Sequence, residues 1–150
     1  MAFDIATTLD AVQTHLDGSG LFFETHIGQP TSAVGEGPIA AIFGDTVSVV
    51  DTTLNSTIEQ HVLTIRLYQG THIGAVETLE KDGWSLVSQV MDLFYGDFQL
   101  GANIRNVDVA GEYGTSLSAS RDEEAIETTP YYVADIVLPL IVNSATTLVA

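Results

Sequence analysis

Four histidines, three arginines and an acid-rich run are the side chains in this sequence best equipped for chemistry. His15, His26, His61 and His72 show no HxH, HxxxH or HExxH spacing. A zinc site would have to be assembled from residues far apart in the chain, and scattered structural histidines are the plainer reading. His61 falls on the apolar face of a strand-like segment, where a satisfied core imidazole is expected. "THIG" stands at 25–28 and again at 71–74, but the flanks differ and a true repeat should extend further. The nucleophile motif GxSxG is missing. So are GxxxxGK[ST] and GxGxxG, and Lys81 is the only lysine. "GSG" at 18–20 closes a helical pattern rather than opening one, so it is not a phosphate cradle. "RDEEAIE" at 121–127 offers paired carboxylates, yet twenty acids make such pairs inevitable. It reads as part of a loop, a poor frame for holding an acid and a base at fixed separation. Catalysis is therefore not expected, nor a cofactor, nor a metal.

The arginines are the sharper candidates. Arg66 lies on the polar face of one strand-like segment, Arg105 on another, and Arg121 in the acidic run. Intramolecular pairing is one reading, worth ~0–1 kcal/mol at an exposed site. The other is a subunit interface, where each guanidinium reaches acids of a neighbouring protomer in a bidentate, desolvated pair. Arg105 sits inside "GDFQLGANIRNVDVAG" (96–111), a glycine-rich exit from a helix followed by a strand that would aim it outward.

These residues belong to a chain of 150 with a formal net charge of −16, from twenty acids against four bases. Such a balance opposes capture of nucleic acid by phosphate neutralisation and docking on anionic membranes. It fits high solubility, a high-salt habitat, or a surface that must not stick to passing DNA. At 45% hydrophobic residues the chain has material for a core, and its length suits one domain spanning 1–150. The absence of cysteine excludes disulfides and thiolate chemistry. "MAFDIATTLD" carries no positive n-region followed by an apolar run, so a secretory signal is not expected. The "NST" at 55–57 is then a chance sequon.

Periodicity supplies the elements. Ile5, Leu9, Val12 and Leu16 predict a helix over 4–17, capped by Asp4 and ended by Gly18. Strands are expected at 21–27, at 39–50 with a bulge at Gly44-Asp45, and at 58–69. In the last of these, His61, Leu63, Ile65 and Leu67 share one face; Val62, Thr64, Arg66 and Tyr68 share the other. Loops are expected at 28–38 and about 70–81. A second helix over 82–95 would start at Asp82, because Gly83 is a poor interior residue. A strand over 103–109 shifts its apolar phase between Ile104 and Val107, which suggests a bulge. Residues 110–129 read as a long polar loop whose residues 115–126 should be dispensable for folding. The strand over 131–143 turns Tyr132, Ala134, Ile136, Leu138 and Leu140 to one side, and Val133, Val137 and Ile141 to the other. Pro139 marks it as an edge strand, or one bulged there. The expected architecture is α+β: a mixed sheet of about four to five strands with two helices on one face. A partner is expected to cover the semi-apolar opposite face.

"LVSQVMDLFYGDFQLGANIRNVDVAGEYG" (86–114), followed by "YYVADIVLPLIVN" (131–143), resembles the tail terminator proteins of long-tailed, siphovirus-type bacteriophages. That family shows a helix ending in a "GDF-LGG-IR-VDL-G" type of stretch, then a loop and a last strand of "Y-V-DI-LPLVVN" character. The opening helix and "VLTIRLY" (62–68) fit as well, so the likeness covers nearly the whole chain. Ala102 stands where a second glycine is usual, and "ETLEKDGW" replaces a proline-bearing helix start. The resemblance implies a small α+β protein without enzymatic activity or cofactor. It implies a homohexameric ring at the head-proximal end of the tail tube, made in the host cytoplasm and placed at the virion neck. Such a ring stops tube polymerisation and meets the tail-tube protein and a head-completion or connector protein, while DNA passes through unbound. Two alternatives stand beside it. One is another head–tail connector or tube-like ring subunit. The other is an acidic, halophilic-type binding or enzymatic domain.

Overall fold

The computed structural model describes residues 5–22, 24–28, 30, 38–52, 57–70, 76–95, 104–126 and 129–144. Of residues 70, 76, 78, 79, 104–106, 122–126, 129–131, 143 and 144 it describes the backbone alone. The element order is α1 (Ile5–Ser19), β1 (Glu24–Ile27), β2 (Ile39–Thr52), β3 (Thr57–Gly70), α2 (Val76–Tyr95), β4 (Ile104–Val107), β5 (Ser118–Ile126) and β6 (Thr129–Ser144). The strands form one six-stranded mixed sheet in the order β1-β2-β3-β6-β4, with β5 also on β6. β1 runs parallel to β2, and all other pairs are antiparallel. The α+β class, with two helices on one face of the sheet, is the expected one; the sixth strand is β5.

α1 forms because its apolar residues recur on one side. Val12 and Leu16 are fully buried, and Ile5 and Leu9 pack against the same core. Its end differs from the expected one. Gly18 lies within the helix and Gly20, at φ 72°, takes the left-handed position that follows it. Ser19 assists by donating its hydroxyl to the Leu16 carbonyl and accepting from the Leu21 amide. Asp4, the expected cap, lies outside the described residues. α2 begins at least six residues before the expected start, and Asp82 is an exposed interior residue of it. Pairs one turn apart support this opening stretch: Lys81 with Glu77, and Trp84 with Glu80. Val87, Val90 and Phe94 then enter the core.

The main core lies between the helices and one sheet face. Leu63, Ile65 and Leu67 of β3 meet Ala134, Ile136, Leu138, Leu140 and Val142 of β6 there, as the alternation in both strands requires. On the opposite face Ile39, Ala41, Tyr68 and Val133 form a second, smaller buried cluster. Val133 and Ile141 are thus buried within the chain itself, and Val137 is half-buried. His15 ties the helices together through its Nε2 at 3.0 Å from the Leu93 carbonyl oxygen.

Two expectations about the C-terminal half are overturned. Residues 118–126 are not loop: all nine pair with β6, from Ser118↔Val137 to Ile126↔Thr129. A deletion of 115–126 would remove an edge strand instead of a dispensable loop. β6 is not an edge strand either, since β3 pairs along the whole of one side and β4 and β5 pair along the other. Pro139 is tolerated for a local reason. β5 ends opposite Val137 and β4 lies opposite Leu140 to Val142, so β4 and β5 share one edge of β6 with a gap between them. Pro139 sits at that gap. Its carbonyl accepts the Asp108 amide at 2.9 Å, on the side where its missing N–H would also point.

Candidate functional site: an acidic sheet edge and its neutralised cations

The gap opposite Pro139 is spanned by an excursion of the chain from Asp108 to Leu117. One buried carboxylate organises it. Asp108 accepts from the amides of Glu112 (2.7 Å) and Tyr113 (2.9 Å), and from Gln60 Nε2 at 3.1 Å. Leu117 closes the excursion through its amide to the Val109 carbonyl and drops its side chain into the core. Nothing in the residue pattern announced this role for Asp108; a lone Asp before a glycine-bearing stretch reads as any turn.

His61 is where the alternation put it, fully buried on the helix side of β3. Thr8 Oγ1 lies 2.9 Å from its Nδ1, and Glu59 Oε1 lies 3.6 Å from its Nε2. A hydroxyl, an imidazole and a carboxylate in series resemble an activated nucleophile. Here Thr8 and His61 are both 0% exposed, so no substrate reaches the hydroxyl and the arrangement anchors α1 to the sheet. His26 bonds Glu24 at 3.0 Å near the surface, and His72 lies outside the described residues. Among the described residues no group of three metal-ligating side chains converges.

The arginines fare differently from one another. Arg66 of β3 faces Asp135 of β6 in direct register. Its Nε and Nη2 grip the two carboxylate oxygens at 2.7 and 3.1 Å, and its guanidinium lies 5.5 Å from the Phe43 ring centroid. Arg121 belongs to β5 rather than to a loop. Its side chain is 9% exposed, lodged between α2 and the sheet. Nη1 donates to the Glu80 carbonyl at 3.0 Å and stands 3.3 Å from the Glu80 carboxylate. The guanidinium also rests between the rings of Trp84 and Tyr132, at 5.9 and 5.5 Å. Gly83 leaves the space this requires: a Cβ there would lie 2.6 Å from Arg121 Cζ. The helix therefore runs through a glycine that the sequence marked as its boundary. Arg105 lies in β4 at a register shift between Ile104 and Asn106, the bulge anticipated there; its side chain lies outside the described residues. Lys81 pairs with Glu77. Three of the four cations are thus held by carboxylates of their own chain, and the acid surplus remains.

That surplus meets an open strand edge at β2. β1 pairs with β2 only from Ile39 to Ile42. From Phe43 to Thr52 no described residue pairs with the outer side of β2, while β3 continues along its inner side. Gly44 to Val49, Asp51 and Thr52 are exposed, including Val47 at 46% and Val49 at 58%. The bulge expected at Gly44-Asp45 is present as a register shift between Gly44 and Thr46. Beside it, Phe43, Gly44, Asp45, Thr64 and Arg66 line a cleft of roughly 160 Å³. Edge strands are commonly blunted by charged side chains, lysine above all, and by proline, bulges or cover. This one carries Asp45 and Asp51 and no cation.

Compared with known protein families and with curated proteins, the chain matches none.

Proposed function

We propose that this protein is a tail terminator of a long-tailed bacteriophage, a homohexameric ring that ends the tail tube and receives the head-completion protein. The observation that carries the reading is the disposition of charge. Arg66, Lys81 and Arg121 are each paired within the chain, and the chain keeps a formal net charge of −16. Six copies would carry six times that, a formal −96. DNA phosphates within a Debye length of ~8 Å of such a collar are repelled rather than captured, and a genome slides through it. The two stretches that carry the resemblance also support the reading, because they form one contiguous block. β4 pairs with β6, and Val87, Val90 and Phe94 of α2 share a cluster with Leu138 and Leu140.

The test is a mass measurement on the purified protein, alone and with polymerising tail-tube subunits. A discrete hexamer, or a monomer that halts tube growth at one end, is the expected result. A chain that stays monomeric and leaves tube length unchanged, or one that turns over a small molecule, refutes the proposal.

A further inference from the structure

We infer that the open edge of β2, from Phe43 to Thr52, is a docking site for an extended, cationic segment of a partner protein, which adds to the sheet as a strand. The inference is independent of the ring, since a lone subunit carries the same edge.

Among the described residues no strand pairs with this edge over ten residues, ~33 Å at the usual rise, so apart from the Thr52 amide, which donates to Asp51 Oδ1 at 2.8 Å, its outward main-chain donors and acceptors are offered to an incoming strand. The Gly44–Thr46 bulge re-aims the strand just beyond the last β1 partner. Val47 and Val49, exposed on the helix side of the hairpin, provide apolar contact for alternate side chains of the newcomer. On the other face the cleft beside Phe43 suits the aliphatic stem of a lysine or arginine whose head reaches Asp45. Arg66 in the wall of that cleft does not repel such a head, because Asp135 already neutralises it.

Charge selects the partner. A second copy of this chain is a poor occupant. Two β2 edges paired antiparallel about Ser48 would set Asp45 opposite Asp51 at both ends, and β5 brings Asp122, Glu123 and Glu124 to the opposite edge of the sheet. Like charges directly opposite are destabilising in a ladder. A strand bearing lysine or arginine at alternate positions meets no such penalty.

The test uses the full chain and three ten-residue probes: alternating valine and lysine, alternating valine and glutamate, and the lysine probe with prolines in place of valines. Binding is read by fluorescence anisotropy of labelled probe, and location by amide hydrogen exchange. The lysine probe is expected to bind with an affinity that falls as salt rises, and to protect amides within 43–52. The glutamate and proline probes should not bind. Asp45→Lys/Asp51→Lys, both at exposed positions, should weaken the lysine probe at least about tenfold with an unchanged thermal midpoint. Four results overturn the inference: no binding of the lysine probe, equal binding of the proline probe, protection elsewhere than β2, or self-association that protects 43–52.

Discussion

Replacing Gly83 with alanine sets two well-measured effects against each other. Glycine inside a helix costs about 1 kcal/mol relative to alanine, so on propensity alone Gly83→Ala stabilises. The tertiary structure opposes this. A Cβ at position 83 would stand 2.6 Å from Cζ and 2.8 Å from Nη2 of Arg121, closer than atoms approach, and the guanidinium must leave. It then gives up the Glu80 carbonyl at 3.0 Å and its place between Trp84 and Tyr132. A hydrogen bond from a charged donor contributes about 1.5–3 kcal/mol. The Glu80 side chain is 55% exposed, so its ion pair adds little, and we take the whole set as about 2 kcal/mol. Gly83→Ala should therefore destabilise the protein by about 1 kcal/mol, and stabilise an Arg121→Ala background by about 1 kcal/mol. The coupling between the sites is then about 2 kcal/mol. Urea unfolding of the four proteins, followed by far-ultraviolet dichroism and by the single tryptophan, Trp84, measures it. If Gly83→Ala stabilises both backgrounds alike, the glycine is not there for Arg121 and the account of α2 fails.

Other expected outcomes concern single contacts. Thr8→Val keeps shape but leaves His61 Nδ1 without its 2.9 Å partner, and should cost about 1–3 kcal/mol in urea unfolding; an unchanged midpoint would show that the pair does not anchor α1. Asp108→Ala frees the amides of Glu112 and Tyr113 and the Gln60 side chain. It should cost about 2–4 kcal/mol, with exchange at those two amides rising before any global change. Arg105→Ala, at the β4 bulge, should reduce hexamer formation in sedimentation while leaving the monomer's unfolding curve in place; unaltered oligomer mass refutes an interface role for it.

Much of the architecture was legible because it is local. The step of three and four in Ile5, Leu9, Val12 and Leu16 commits one side of α1 to burial before any partner is known. The strict alternation of His61, Leu63, Ile65 and Leu67, and of Ala134 to Leu140, decides which face of β3 and β6 goes inward, because a strand has no other way to segregate its side chains. The bulge near Arg105 was readable as a shift of apolar phase between Ile104 and Val107, and the one at Gly44-Asp45 from a glycine and an aspartate inside a strand-like run. Composition alone established the acid excess and the lack of thiol chemistry.

What the chain could not announce is whatever depends on two distant segments meeting. Gly83 reads as a helix boundary until Arg121, thirty-eight positions on, fills the space its missing Cβ leaves. "RDEEAI" (121–126) reads as loop because its acids hide a weak alternation, and only pairing with β6 makes it a strand. Pro139 argues for an edge until the chain departs opposite it, so that no donor is wanted there. Asp108, Thr8 and Asp135 owe their roles to partners between 48 and 69 positions away or to a turn that closes on a single carboxylate. Propensity and periodicity act over a few residues, whereas hydrogen-bond satisfaction and close packing are decided by whichever groups the fold brings together.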